Sequence, residues 1–319
     1  VVPIAKSKEM ENSSVVALKL EFTNGTTDYL LSQVEAGALR DDHLFFDGRT
    51  AFARADAGGN LQHLFMQASA KFEFGNVSVE CPEPVLQAKV VSVNAGAEGE
   101  IVLDRALPAG SGLHGHALIL RGNPAAAVRV NHDEYYEIED VVASEGGKGV
   151  LRFRNQSLTL ARAHIESIDA GNGMLVTRWP SEVAGLRNVT YLNGRAISVA
   201  DSGLPTAVVK AFSRKELEAT SVAGFKPGQE IRILAVQPGD IATIPATVSL
   251  TREGERHYRL CSNTAVTISL PLPSGASLKA RSASGKEETF GSPDKGSLQV
   301  SFSADWFENG QLELEVVNR

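Results

Sequence analysis

Short apolar runs, many of them alternating with polar residues and broken by Gly, Asn, Asp or Pro, recur along the whole chain. Alternation with a period of two puts successive side chains on opposite faces of a strand, so the pattern predicts strands rather than amphipathic helices. The best-defined piece is KVVSVNAGAEGEIVLDRALP, Lys89 to Pro108. It reads as a β-hairpin: Val90, Val91 and Val93 on one arm, a tip of Asn94, Gly96 and Gly99, and Ile101, Val102 and Leu103 on the return. A second copy, HIESIDAGNGMLVTRWP, runs from His164 to Pro180, where Ser167-Ile168-Asp169-Ala170-Gly171 matches Ser92-Val93-Asn94-Ala95-Gly96. Two hairpins of one design suggest a twice-used β unit, and they are expected to bracket a middle module.

The same punctuation divides the rest. VVALKLEF meets Asn24-Gly25, Asp47-Gly48 predicts a turn between His43–Phe46 and Ala51–Arg54, and Gly58-Gly59-Asn60 and Gly75-Asn76 are further tips. Pro82 and Pro84 remove two amide donors from any ladder and mark a boundary. Ser213-Arg214-Lys215-Glu216 has the spacing of a capping box and predicts one short helix ending by Gly224. The fold class is therefore all-β, with two or three antiparallel β-sandwich or small-barrel modules and at most one or two short helices. The expected segments are a meander over 1–84, a middle module over 85–180, a β region with one short helix over 181–270, and terminal sandwich strands over 271–319.

Composition narrows the partners. A chain of 319 residues that is 43% hydrophobic can bury more than one core, and its net charge of −7 repels nucleic acid and anionic membranes at long range. No apolar run approaches the ~20 residues of a spanning helix. The opening VVPIAKSKEM has neither an initiator Met nor a signal-peptide core, so the expectation is a mature form or a fragment of a longer chain. Cys81 and Cys261 fit no metal spacing; two free core thiols are expected ahead of a disulfide.

Candidate chemistry is sparse. The stretch from Gly146 to Ala163, GGKGVLRFRNQSLTLARA, carries Lys148, Arg152, Arg154 and Arg162 and no acidic residue. On a strand, Arg152 and Arg154 share one face and can fork onto a carboxylate or sulfate, which with Tyr136 gives the candidate ligand-binding set; a solvated outer face is the competing reading. His114 and His116, two apart, would share a strand face as a metal pair with His132 or Asp133 as third ligand, but Leu113 and Gly115 make the segment as much turn as strand. In HDEYYE, residues 132–137, neighbours on a strand point opposite ways, leaving one tyrosine in the core and one on the surface. Trp179 and Trp306 are either sugar-stacking platforms or packing groups, with Trp306 expected to plug the terminal sandwich. The sequence contains no GxSxG, phosphate-loop or HExxH pattern and no GxGxxG after a strand, so no catalytic residue and no cofactor are assigned.

The succession ALKLEFTNGTTDYLL, FFDGRTAFARADAGGN, then VVSVNAGAEGEIVLDRALP with GLHGHALILRGNP resembles the C-terminal β-rich region of bacterial heparinase II/III-like proteins. The likeness spans residues 15 to 180 and continues more loosely through QPGDIATIPATVSL. It implies a β-sandwich region that follows a helical toroid in proteins cleaving uronate-containing polysaccharides by β-elimination, with Tyr and His in the active site. Here the sequence has no toroid-like run of amphipathic helices and no His-rich stretch opening the β region, so no catalytic residue transfers. The resemblance thus implies a non-catalytic portion of an exported protein, secreted or periplasmic, whose partners are an acidic polysaccharide and the parent's N-terminal helical domain. The alternative is a structural or adhesive surface protein of tandem β-sandwiches, and the third reading is a complete enzyme built on HDEYYE with His114 and His116.

Overall fold

The computed structural model describes residues 2–3, 15–96, 98–107, 111–123, 126, 133–142, 147–179, 192–200, 204–213, 215–291, 296–307 and 310–318. The protein is all-β: strands make up 64% of it, and the described helical turns, Ser111–Leu113 and Ala304–Phe307, are 3-10. No described helix is long and apolar enough to cross a membrane. The chain forms two compact units. They interleave in sequence: one comprises Val1–Leu86, Pro108–Leu113 and Pro245–Arg319, the other Gln87–Leu107 and His114–Ile244. The contiguous division at 84, 180 and 270 followed punctuation along the chain, whereas the units follow strand pairing between distant segments.

In the first unit, Val15–Glu21, Thr27–Arg40, Leu44–Ala55 and Leu61–Phe74 form an antiparallel meander. Leu61–Phe74 then pairs with Thr247–Arg252, which brings His257–Ser262, Gln311–Asn318, Ala276–Ser282 and Glu287–Phe290 into the sheet in that order. The other end of Leu61–Phe74 pairs with Val77–Glu80, which leads to Val266–Pro271 and on to Ser297–Phe302. The sheet folds over one apolar cluster that includes Phe46, Leu64, Phe72, Ile268, Leu278 and Phe302, giving a sandwich-like unit. Trp306 is buried in that cluster with its ring edge-on to Phe302 at 5.6 Å, as a plug.

Asp47-Gly48 is not a turn. Both residues lie inside the continuous strand Leu44–Ala55, where the register against Leu61–Phe74 shifts between them. A Cβ on Gly48 would sit 2.5 Å from the Ser69 Cα, so glycine is needed here for close approach of two strands.

In the second unit, one sheet has the order Glu134–Glu137, Ala117–Arg121, Ile241–Pro245, Val85–Asn94, Gly99–Leu103, Gly149–Phe153, Asp140–Val142. Six further strands close into a barrel: Thr159–Asp169, Met174–Arg178, Glu216–Ala219, Pro205–Ser213, Ala196–Val199 and Glu230–Leu234. Closure removes free strand edges, and small residues such as Ala161, Ala163, Ala207 and Ala219 pack with Ile165, Leu217 and Ile233 to fill the narrow interior.

Both predicted hairpins form, with Val93 opposite Ile101 and Ile168 opposite Leu175. Their shared motif has one physical role: the Asn94 and Asp169 side chains each accept the amide of the glycine two residues on, at 3.0 and 3.1 Å. They do not bracket one module, however, because the first belongs to the seven-stranded sheet and the second to the barrel. The expected helix after Ser213 is absent too. Ser213 pairs with Glu216 across a hairpin, and Leu217 and Ala219 are buried while Glu216 and Glu218 are not. Spacing of three between Ser and Glu suits a tight hairpin as well as a helix cap, and the alternation that follows decides for the strand.

Candidate functional site

A concave feature of the first unit lies where four strand connections meet. Its volume is about 570 Å³. Leu61, Phe74, Leu250 and Val316 make an apolar floor, Pro271 and Pro273 form part of the rim, and Asn60, Gln62, Asn76, Arg252, Arg256 and Tyr258 supply polar groups. The Gly59-Asn60 tip is fixed by Asp56, whose carboxylate accepts the amides of Gly58 and Asn60 at 2.9 Å and the Gln62 side-chain amide at 2.8 Å. Those hydrogen bonds, that from the Asn60 backbone foremost, hold the Asp56 carboxyl below its ordinary value. Arg252 donates from Nε to the Gly254 carbonyl at 3.0 Å, which orients the arginine over the cleft's end of the strand pair. Arg256 is exposed, and its guanidinium has no hydrogen-bond or carboxylate partner among the described residues. Glu255 is the one carboxylate among the lining side chains. Chemically this is a shallow apolar trough edged by amides, a phenol and two guanidinium groups.

The basic stripe predicted from sequence is not one surface. Arg152 lies in the seven-stranded sheet between two carboxylate-bearing neighbours, opposite Glu100 on one side and Asp140 on the other, and its Nε donates to Glu100 at 2.7 Å. That hydrogen bond, first among the causes, raises the arginine's pKa. Arg154 reaches Asp140 at 3.7 Å, while its backbone amide is bound by Glu139 at 2.7 Å. Arg162 sits on a barrel strand opposite Arg232, and Lys148 is exposed beside the start of Gly149–Phe153. The acid-free appearance of residues 146–163 is linear only, since cross-strand pairing delivers Glu100, Glu139 and Asp140 to the same place.

Tyr136, counted in the ligand set, is buried at 8% exposure; its hydroxyl donates to the Ser157 carbonyl at 3.2 Å and its ring packs on Phe153 at 5.4 Å. Desolvation pushes its phenol well above the ordinary tyrosine value, so it is a core group, and Tyr135, 68% exposed, is the surface member of the pair. His114-Gly115-His116 is a turn, not a strand: Gly115 has φ +78°, and its amide and the His116 carbonyl both bond Ile138. The shared strand face needed for a histidine pair is therefore missing. His132 lies outside the described residues, and among those residues no three His, Cys, Asp or Glu side chains cluster as metal ligands.

No protein-family model and no curated protein matches this chain. Its chemistry therefore rests on its own side chains.

Two further sequence expectations have structural answers. Cys81 and Cys261 are both free; Cys81 is buried, and desolvation pushes its thiol up to about 11, whereas Cys261 is only half-buried. Trp179 is a packing group of the barrel interior, edge-on to Phe212 at 4.9 Å.

Glu134 accepts from Arg195 Nη2 at 2.6 Å, and Arg195, 2% exposed, also donates to the Ala235 carbonyl. Near it, Asp240 is buried at 2% exposure and accepts the Gln237 amide at 3.0 Å. Burial raises the Asp240 carboxyl to about 6 despite that hydrogen bond. Sequence reading passed over Arg252, Arg256 and Tyr258 because they flank an ordinary Glu-Gly-Glu turn. The available signal was the convergence of Gly-Asn and Gly-Glu tips, which needs the topology to be seen.

Proposed function

We propose that this chain is a non-catalytic β-sandwich portion of a polysaccharide-degrading protein of the heparinase II/III type, exported from a bacterial cell, and that it contacts acidic glycan without turning it over. The whole protein would cleave uronate-containing polysaccharide by β-elimination. The observation that supports this most directly is the first-unit cleft, where the unpartnered Arg256 guanidinium stands beside Arg252, Tyr258 and the Asn60 and Gln62 amides. A guanidinium forks onto a carboxylate or sulfate, amides bind ring hydroxyls, and the apolar floor accepts a pyranose C–H face.

Titration calorimetry with uronate-containing and sulfated oligosaccharides tests the reading. We expect saturable binding that weakens with salt and falls ~10-fold in Arg256→Ala, the loss of one charge-assisted hydrogen bond. Arg152→Ala with Arg154→Ala, whose guanidiniums already have carboxylates, should leave it nearly unchanged. Growth of absorbance from unsaturated uronate products would overturn the non-catalytic part. Absence of binding to every acidic glycan would favour a structural or adhesive β-sandwich protein instead.

A further inference from the structure

Two exposed arginines set one face of the six-stranded barrel apart. The exposed arginines on the other described strands all have partners: Arg54, Arg121, Arg259 and Arg281 each meet a carboxylate, Arg40 lies over the Phe45 ring, and Arg49 donates to the Val34 carbonyl. Such pairing is the expected state of a protein with 38 acidic and 31 basic residues. Arg162 and Arg178, both exposed on barrel strands, have no carboxylate, carbonyl or ring partner among the described residues.

Strand pairing places the two together. Ala161, Ala163 and Ile165 pack inside the barrel, so Arg162 and His164 between them point out. Arg178 stands directly opposite His164 on one side, and Arg232 stands opposite Arg162 on the other. Arg162 and Arg178 are therefore diagonal neighbours, with backbone origins roughly 7–8 Å apart. Arg232 is committed, since its Nη1 donates to the Ala95 carbonyl at 2.7 Å. Like charges directly opposite destabilise a strand pair, so Arg162 is held against Arg232 at a cost to the fold. Glu230, opposite His164, is already shared, 4.0 Å from His164 Nε2 and 3.8 Å from Arg232 Nε. Glu166 is exposed further along, where the register shifts between Ile165 and Ser167. The face thus offers two uncommitted guanidinium groups with an imidazole between them.

We propose that this outer barrel face is a contact for an acidic polysaccharide, with Arg162 and Arg178 each taking a carboxylate or sulfate of one chain and His164 meeting a ring hydroxyl between them. The inference rests on the acidic-glycan reading for its class of ligand, and adds a site that the first-unit cleft does not share. A guanidinium fork matches either oxyanion. The outside of a closed barrel is convex, which suits an extended chain lying across it, whereas small-molecule sites are concave. Nucleic acid fits less well. The three strands that bear the face contain no Phe, Tyr or Trp on which a base could stack, and the net charge of −7 opposes a polyanion as dense as a duplex.

The test uses the full chain and calorimetry, with size-defined heparin and oligogalacturonate fragments, a neutral dextran fragment and a single-stranded oligodeoxynucleotide as probes. At least one acidic fragment should bind, more weakly at high salt, and Arg162→Ala with Arg178→Ala should weaken binding ~10-fold or remove one of two binding events. Arg162→Glu should remove the contribution of this face as well. Because it sets a carboxylate opposite Arg232, its thermal unfolding midpoint should stay level or rise, which separates lost binding from lost folding. Arg256→Ala reports on the first-unit cleft alone. Weaker binding in Arg256→Ala with the barrel variants unaffected overturns this inference and keeps the cleft; the reverse keeps this inference and removes the cleft; no binding of any acidic fragment overturns both. Equal binding of the dextran fragment, or tighter binding of the oligodeoxynucleotide, also overturns the inference.

Discussion

At the scale of single residues, Asp240 is the most consequential titrating group described. Its carboxyl is buried, and desolvation lifts its pKa from 3.8 to about 6, against hydrogen bonds from Gln237 that lower it. The protonated form is thus the one the fold prefers, so the penalty is present above about pH 6 and is relieved as pH falls towards the unfolded value. Stability to denaturant should rise by ~1.4 kcal/mol as pH is lowered from 7.5 to 5, about half of the ~3 kcal/mol that a shift of ~2 pKa units supplies in full below the unfolded value. Carboxyls held low by hydrogen bonds, such as Asp56 and Asp305, act in the opposite direction only at more acidic pH. Asp240→Asn keeps an oxygen for the Gln237 amide and cannot ionise; urea titrations across the range should show the slope flattened in this variant, and an unchanged slope would rule Asp240 out. Nothing in the local sequence QPGD signals this, since the turn is ordinary and only the packing around it removes the water.

At the scale of elements, the long strands of the first unit depend on a line of irregularities. Thr27–Arg40, Leu44–Ala55 and Leu61–Phe74 are 14, 12 and 14 residues long, and each departs from regular pairing near its middle. The register shifts between Ser32 and Gly37 and between Asp47 and Gly48, and Ala68 takes φ +48°. The buried Gln33 side chain ties the line together, donating to the Gly37 carbonyl at 2.7 Å and to Gly48 at 3.0 Å. Because a methyl at Gly48 meets the Ser69 backbone, which is part of the same line, Gly48→Ala should cost about 3 kcal/mol or more, read as a lower denaturant midpoint with an unchanged slope. Here the sequence was legible in part. Asp-Gly is the usual hairpin signal, yet the same glycine serves a bulge, and only the facing Ser69 distinguishes the two. The hairpins at Asn94 and Asp169 were readable because their turn chemistry is local.

At the scale of the whole molecule, the second unit is inserted into the first. Pro84 and Ala246, close to where the chain leaves and re-enters, are joined by a backbone hydrogen bond of 2.9 Å. Residues 87–244 expressed alone should therefore fold cooperatively with a β-type circular dichroism spectrum. Residues 1–86 alone should not, because Leu61–Phe74 loses Thr247–Arg252 and the core loses Ile268, Leu278 and Phe302. Solubility, proteolytic resistance and thermal unfolding of the two pieces check this; a cooperatively folding 1–86 would contradict it. Pairings so distant in sequence carry a loop-closure cost, so slow refolding of the full chain is expected as well.

By itself the sequence determined the strand content, the two Asx-tipped hairpins and the division of Tyr135 from Tyr136 between surface and core. These follow from period-two alternation and from side chains bonding their own backbone, both of which act over a few residues. Tertiary structure alone decided that Arg152 and Arg154 meet Glu100 and Asp140, that Arg256 and Tyr258 face Asn60 across a cleft, and that Asp240 is buried away from water. Charge neutralisation, cleft formation and desolvation depend on which strands become neighbours, and that choice is made by the apolar surface the whole chain buries.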